Sequence, residues 1–148
     1  MTKIVFVCHG NICRSTMAEF LFLDRIRKEG IADRFEVTSR ATSTEELGNP
    51  VHPGTRKVLS SLGIDCSGKF SQRITAAECD EADYIIVMDR NNRRNLWPFI
   101  GKNEHKVSSL LSWAGVERDI SDPWYTGNFD DTYRDVLQGC EALLEKLK

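Results

Sequence analysis

The sequence predicts an α/β fold: a three-layer sandwich with a four-stranded parallel sheet and helices on both faces. Three observations lead there. Short runs rich in β-branched residues alternate along the chain with longer stretches at helical spacing. The first run, Lys3–Cys8, is apolar almost without a break, as in a strand covered on both faces. At 148 residues the chain suits one compact domain, residues 1–148, and is too short for two.

The elements follow in order. After the Lys3–Cys8 strand, a helix is expected from about Ser15 to Glu29, with Met17, Phe20, Leu21 and Phe22 near its start and Gly30 as its stop. Arg34–Ser39 alternates as a second strand, and the polar stretch from Arg40 to Pro50 reads as a loop. Pro53 opens a helix that ends at Gly63. Thr75-Ala-Ala-Glu78 has the spacing of a capping box, in which the Thr hydroxyl and the Glu carboxylate satisfy each other's backbone N–H groups. Asp83–Met88 is the third strand, Asn91–Trp97 a helix, and His105–Ser109 a short fourth strand. From Phe129 onward, Tyr133, Val136, Leu137, Cys140, Leu143, Leu144 and Leu147 line one helical face. Ligands of such sheets bind beyond the carboxyl ends of the strands, so chemistry is expected just after Val7, Ser39 and Met88.

Composition excludes several classes. With 41% apolar and 28% charged residues, the chain is not intrinsically disordered. Its formal net charge of -2 argues against binding nucleic acid or an anionic membrane through bulk charge. The apolar run Ile4–Cys8 is too short to span a bilayer or to serve as a signal-peptide core, so the expected location is the cytoplasm. In that reducing compartment the five cysteines read as core fillers or reactive thiols rather than a disulfide framework. His9, His52 and His105 have no partner at ligand spacing, so no metal site and no cofactor are expected.

The first strand end reads Cys8-His-Gly-Asn-Ile-Cys-Arg14-Ser15. A Cys and an Arg six positions apart mean little alone, but here the loop leaves a buried strand and runs straight into a helix. Gly10 and Asn11 tolerate positive φ, which lets successive backbone N–H groups converge at the positive end of that helix. The result is an anion cradle of phosphate size. Cys8 lies at its base, where those dipoles favour the thiolate. Arg14 brings a planar fork for two phosphoryl oxygens, and the Ser15 hydroxyl can donate to the sulfur.

The segment Phe6-Val-Cys-His-Gly-Asn-Ile-Cys-Arg-Ser-Thr-Met-Ala-Glu19 resembles the active-site loop of low-molecular-weight protein-tyrosine phosphatases. The similarity continues through Ala41-Thr-Ser, Leu47-Gly-Asn-Pro50, Ile85-Ile-Val-Met-Asp89 and Asp122-Pro-Trp-Tyr125, with Phe129 and Tyr133 after it. It spans nearly the whole chain, in the family's order. The resemblance implies hydrolysis of phosphotyrosine and aryl phosphates through a phosphocysteine on Cys8. It makes Arg14 and the loop amides of His9, Gly10, Asn11, Ile12 and Cys13 the phosphate ligands, and Asp122 the general acid and then base. Trp124 and Tyr125 become cleft walls, while Asn11, Ser15 and Ser39 order the loop. Implied partners are phosphotyrosine proteins, a tyrosine kinase among them, with phosphate or other oxyanions in the site. The family also uses the Cys8–Cys13 pair as a reversible protective disulfide.

Some positions depart from the family pattern. His9 stands where Leu is frequent, Glu45 where many members carry Trp or Tyr, Thr16 for a frequent Pro, and Lys69 near the place of a His. A carboxylate at Glu45 removes a stacking surface and repels acidic peptides. Ile12 favours phosphotyrosine, because members acting on phosphoarginine carry Thr there. Two alternatives remain at this level. A thiol-based arsenate reductase needs two further thiols to relay a disulfide, but Met88 and the Asp89–Phe99 stretch supply none. A non-enzymatic cysteine phosphocarrier would have no use for a proton donor such as Asp122.

Overall fold

The computed structural model describes residues Met1–Lys148. Four strands, β1 (Thr2–Cys8), β2 (Phe35–Ala41), β3 (Tyr84–Val87) and β4 (Val107–Ser109), form one sheet in the order β2-β1-β3-β4. Every pairing is parallel, with Phe6 opposite Ser39 on one side and Ile86 on the other. The helices are α1 (Arg14–Lys28), α2 (Pro53–Ser61), α3 (Ala76–Glu81), α4 (Arg90–Asn95), α5 (Trp97–Ile100), α6 (Pro123–Thr126) and α7 (Phe129–Leu147).

The unbroken apolar run of β1 is explained by two cores. Ile4, Phe6 and Cys8 point to one face, where Met17, Phe22 and Ile26 of α1, Leu59 of α2, and Val136, Leu143 and Leu144 of α7 pack. Val5 and Val7 point to the other, against Cys79 of α3, Leu96 and Ile100. Successive strand residues alternate faces, so a strand between two helical layers must be apolar throughout. This is the three-layer α/β sandwich expected from the sequence. No helix is long and apolar enough to cross a membrane.

Element boundaries differ in a few places. β2 runs on through Arg40 and Ala41, beyond the expected end at Ser39. Ala41 pairs with Cys8, and its N–H and carbonyl bond Gln72 and Ile74, each at 2.8 Å. The helix expected over 91–97 is two pieces, because Pro98 near the start of α5 has no N–H to continue the α4 ladder. The stretch after Asp122 is the short helix α6, with Pro123 at its first position. The capping box at Thr75 and Glu78 is present with both of its bonds.

Candidate active site

The site is built where β1 and β3 end. β1 delivers Cys8, the loop from His9 to Cys13 turns through Asn11 at φ 55°, and α1 begins at Arg14. Cys13, at the N-cap, offers no side-chain bond to the first turn. Between His9 and Ser15 no backbone N–H meets an acceptor within the protein. Such a run of unpaired donors at a helix start is costly unless an anion takes them.

Arg14 completes the cradle from the inside. Its side chain is 2% exposed, among the most buried in the molecule. Nη1 donates to Asp89 Oδ2 at 2.6 Å and to the Ile120 carbonyl at 2.8 Å, and Nη2 reaches Asp122 Oδ2 at 3.4 Å. Nε has no partner. One edge of the guanidinium is thus anchored by Asp89 and Ile120, while Nε and Nη2 form the edge left for a bidentate oxyanion. Burial opposes the positive charge, but Cys8, Asp89 and Asp122 outweigh it and raise the Arg14 pKa above its ordinary value.

Behind the thiol runs a directed chain of hydrogen bonds. Asn11 Oδ1 accepts from the Gln72 N–H at 3.2 Å, which fixes the amide so that Nδ2 donates to Ser15 Oγ at 2.8 Å and Ser39 Oγ at 2.9 Å. Ser39 Oγ in turn donates to Glu19 Oε1 at 2.5 Å. Ser15 Oγ also accepts from the Cys8 thiol, with Sγ 3.1 Å away, so once that thiol is ionised the Ser15 hydroxyl can turn its own proton to the sulfur. Lys69, which stands near the place of a His in the family, closes the chain: Nζ lies 3.1 Å from Glu19 Oε1 and donates to the Ser39 carbonyl at 3.0 Å. Burial pulls the Lys69 pKa below its usual value, against the opposing pull of Glu19.

The cleft above this base is small, with a cavity volume of about 90 Å³, below the roughly 300–1,000 Å³ of sites that enclose a drug-sized ligand. Cys8, His9, Gly10, Ile12, Cys13, Arg14, Glu45, Asp122, Trp124 and Tyr125, all singled out in the sequence, line it together with Glu46. The side chains of Asn11 and Ser15, named above as ordering the loop, are buried behind it and do not line the cleft. Asp122 caps α6, with Oδ1 accepting from the Trp124 N–H at 3.1 Å, so its other oxygen faces Arg14. Trp124 is braced by His52, whose ring lies edge-on to it at 5.7 Å and stacks on Phe129 at 5.0 Å. Glu45 does stand at the rim, with Oε2 2.8 Å from His9 Nε2.

Sequence reasoning gave no role to Asp89, Glu19, Glu46 or His52. Asp89 had a signal, since it follows the third strand at the edge where chemistry was expected. The others act through contacts distant in the chain. Of the five thiols, all free and buried, only Cys8 and Cys13 line the cleft. Cys13 is held well above the ordinary thiol range by burial, then by Cys8 and Asp122. No cluster of side chains suited to a metal ion occurs.

Known proteins that resemble this chain place it in one class, the protein-tyrosine phosphatases of α/β architecture. More particularly, the chain belongs to the low molecular weight phosphotyrosine protein phosphatase family, whose model matches residues 3–148. It is 36% identical over 151 residues to the low molecular weight protein-tyrosine-phosphatase YfkJ of Bacillus subtilis, covering 100% of this chain and 97% of that protein. To PtpA of Staphylococcus aureus, another low molecular weight protein-tyrosine-phosphatase, it is 40% identical over 147 residues, covering 98% and 93% of the two chains. The crystal structure of YfkJ matches with a TM-score of 0.95 at 37% identity, over 99% of this chain and 94% of that one. That of SP-PTP from Streptococcus pyogenes matches at 0.89 and 39%, over 100% and 94%.

Proposed function

We propose that residues 1–148 act as one phosphatase domain that hydrolyses phosphotyrosine through a phosphocysteine on Cys8. One observation carries the reading: the buried Arg14 presents an unpartnered Nε–H in the same cleft as Cys8, beside loop N–H groups without acceptors. That constellation suits a dianion held above a sulfur nucleophile. The phosphoryl oxygens take the loop amides and the Nε–Nη2 edge of Arg14. Cys8 sulfur attacks phosphorus in line, the bond to the tyrosine oxygen breaks, and Asp122 gives its proton to that oxygen. Asp122, now a carboxylate, takes a proton from a water that attacks the phosphocysteine, releasing phosphate and the free thiolate. Ser15 stabilises the sulfur anion at both ends of the cycle.

Trp124 and Tyr125 hold the aromatic leaving group, and Ile12 keeps the floor of the site apolar. Partners in this reading are phosphotyrosine proteins, tyrosine kinases among them, and the free thiols suit the cytoplasm. Arsenate reduction lacks support, because Cys66, Cys79 and Cys140 do not line the cleft and no third thiol is placed to relay a disulfide. The deciding experiment is turnover of p-nitrophenyl phosphate without added metal, beside phosphotyrosine and phosphoarginine. Turnover of the two aryl esters with little on phosphoarginine is expected. Failure on both aryl esters rejects the reading.

A further inference from the structure

The base of the cleft is made for an anion, but its rim carries the opposite character. Glu45 has a side chain 71% exposed, and its Oε2 is tied to His9 Nε2. Glu46 lies with its stem against Gly10, where a Cβ would stand 3.1 Å from Glu46 Cγ, and its Oε2 accepts from Asn49 Nδ2 at 2.6 Å. Both carboxylates are thereby held in place through one oxygen, while Oε1 of each makes no bond within the protein. The other rim side chains are His9, held by Glu45, and the rings of Trp124 and Tyr125, 56% and 82% exposed. The cleft lining contains no lysine, and its one arginine, Arg14, is buried at the base and already committed to Asp89 and Ile120.

Carboxylates and aromatic faces attract the same thing. A carboxylate takes a cation by charge and hydrogen bonding, and a ring by the negative potential of its face. We propose that this enzyme selects phosphotyrosines flanked by cationic side chains, with Glu45 and Glu46 as the specificity-determining residues and Trp124 and Tyr125 as supporting surfaces. The substrate class is a basic phosphopeptide segment, its phosphoryl group on Arg14 and its neighbouring Lys or Arg at the rim. The inference rests on the phosphatase reading for the place of the phosphoryl group. It adds a preference that this reading does not contain.

The test compares matched phosphotyrosine peptides carrying Lys or Arg, Ala, or Glu on both sides of the phosphorylated residue. For the wild-type protein, kcat/KM on basic peptides should exceed that on acidic ones by roughly tenfold at low ionic strength, the scale of a few exposed ion pairs. High salt should narrow the ratio. In the Glu45→Gln, Glu46→Gln double variant the ratio should fall to within about twofold of one. A wild-type ratio near one, or one that the double variant leaves unchanged, overturns the proposal. Dissociation constants of the same peptides for the Cys8→Ser protein read the rim without turnover and should show the same order. p-Nitrophenyl phosphate has no flanking charge, so its failure to turn over rejects the phosphatase reading, while the peptide constants still judge the rim. Absence of binding for every peptide rejects both.

Discussion

At the residue scale the site works by dividing the edges of polar groups between structure and chemistry. Arg14 commits Nη1 to Asp89 and Ile120, and Asp122 commits Oδ1 to the α6 cap, which leaves Arg14 Nε unpartnered and Arg14 Nη2 and Asp122 Oδ2 facing each other at 3.4 Å. This division separates the effects of substitutions. Cys8→Ser should abolish turnover yet keep vanadate affinity, because the amides and Arg14 remain; residual activity within tenfold of wild type would show that Cys8 is not the nucleophile. Asp122→Asn should slow kcat far more on phenyl phosphates with basic leaving oxygens than on those with good leaving groups, since a general acid matters most there. Equal loss across a leaving-group series would reduce Asp122 to its capping role. Asp89→Ala removes the closest charge partner of a buried guanidinium, so the melting temperature should drop, and phosphate should raise it more than in the wild type. An equal rise in both proteins would mean that Asp89 does not balance Arg14.

At the element scale two glycines mark where helices approach too closely for any side chain. A Cβ on Gly54, in the first turn of α2, would fall 2.4 Å from the Phe129 ring that opens α7. On Gly139, within α7, it would fall 2.4 Å from Leu110 Cγ. Alanine at either position should cost about 1–3 kcal/mol through overpacking, read as a shift of the urea midpoint. The two should differ in activity. Phe129 stacks on His52, which braces Trp124, so Gly54→Ala should also raise KM for aryl phosphates with little change in kcat. Gly139→Ala acts far from that wall and should leave KM alone. If Gly54→Ala loses stability without a change in KM, the bracing of Trp124 by α2 and α7 is not functional.

At the scale of the whole molecule the fold sorts five chemically identical thiols. Burial raises Cys66 and Cys140 above the ordinary thiol range and pushes Cys79 up to about 11; it raises Cys13 as well, so what separates Cys13 from these three is its place beside Cys8 rather than its acidity. Cys8 and Cys13 alone share the cleft. Mild peroxide should therefore inactivate the enzyme through a Cys8–Cys13 disulfide, with dithiothreitol restoring activity and mass spectrometry finding the other three reduced. If Cys13→Ala recovers from oxidation as fully as the wild type, Cys13 has no protective role.

Chain-local features were legible from the residues. The two-faced burial of β1, the capping box at Thr75, the Cys8–Ser15 loop and the apolar face of α7 all depend on neighbours within a few positions. Periodicity and spacing therefore determined the layers of the fold and the base of the site. Only the tertiary structure decided that Asp89 anchors Arg14 across 75 positions, that Lys69 and Glu19 end the chain of bonds behind the thiol, and that Glu46 joins Glu45 at the rim. The extension of β2 through Ala41 was equally hidden, because its bonds go to Gln72 and Ile74. A local pattern sets how each segment folds and which face it buries. Which distant polar groups then meet depends on how the segments pack, since any of several carboxylates in the sequence could balance a buried arginine and only packing brings one within 2.6 Å.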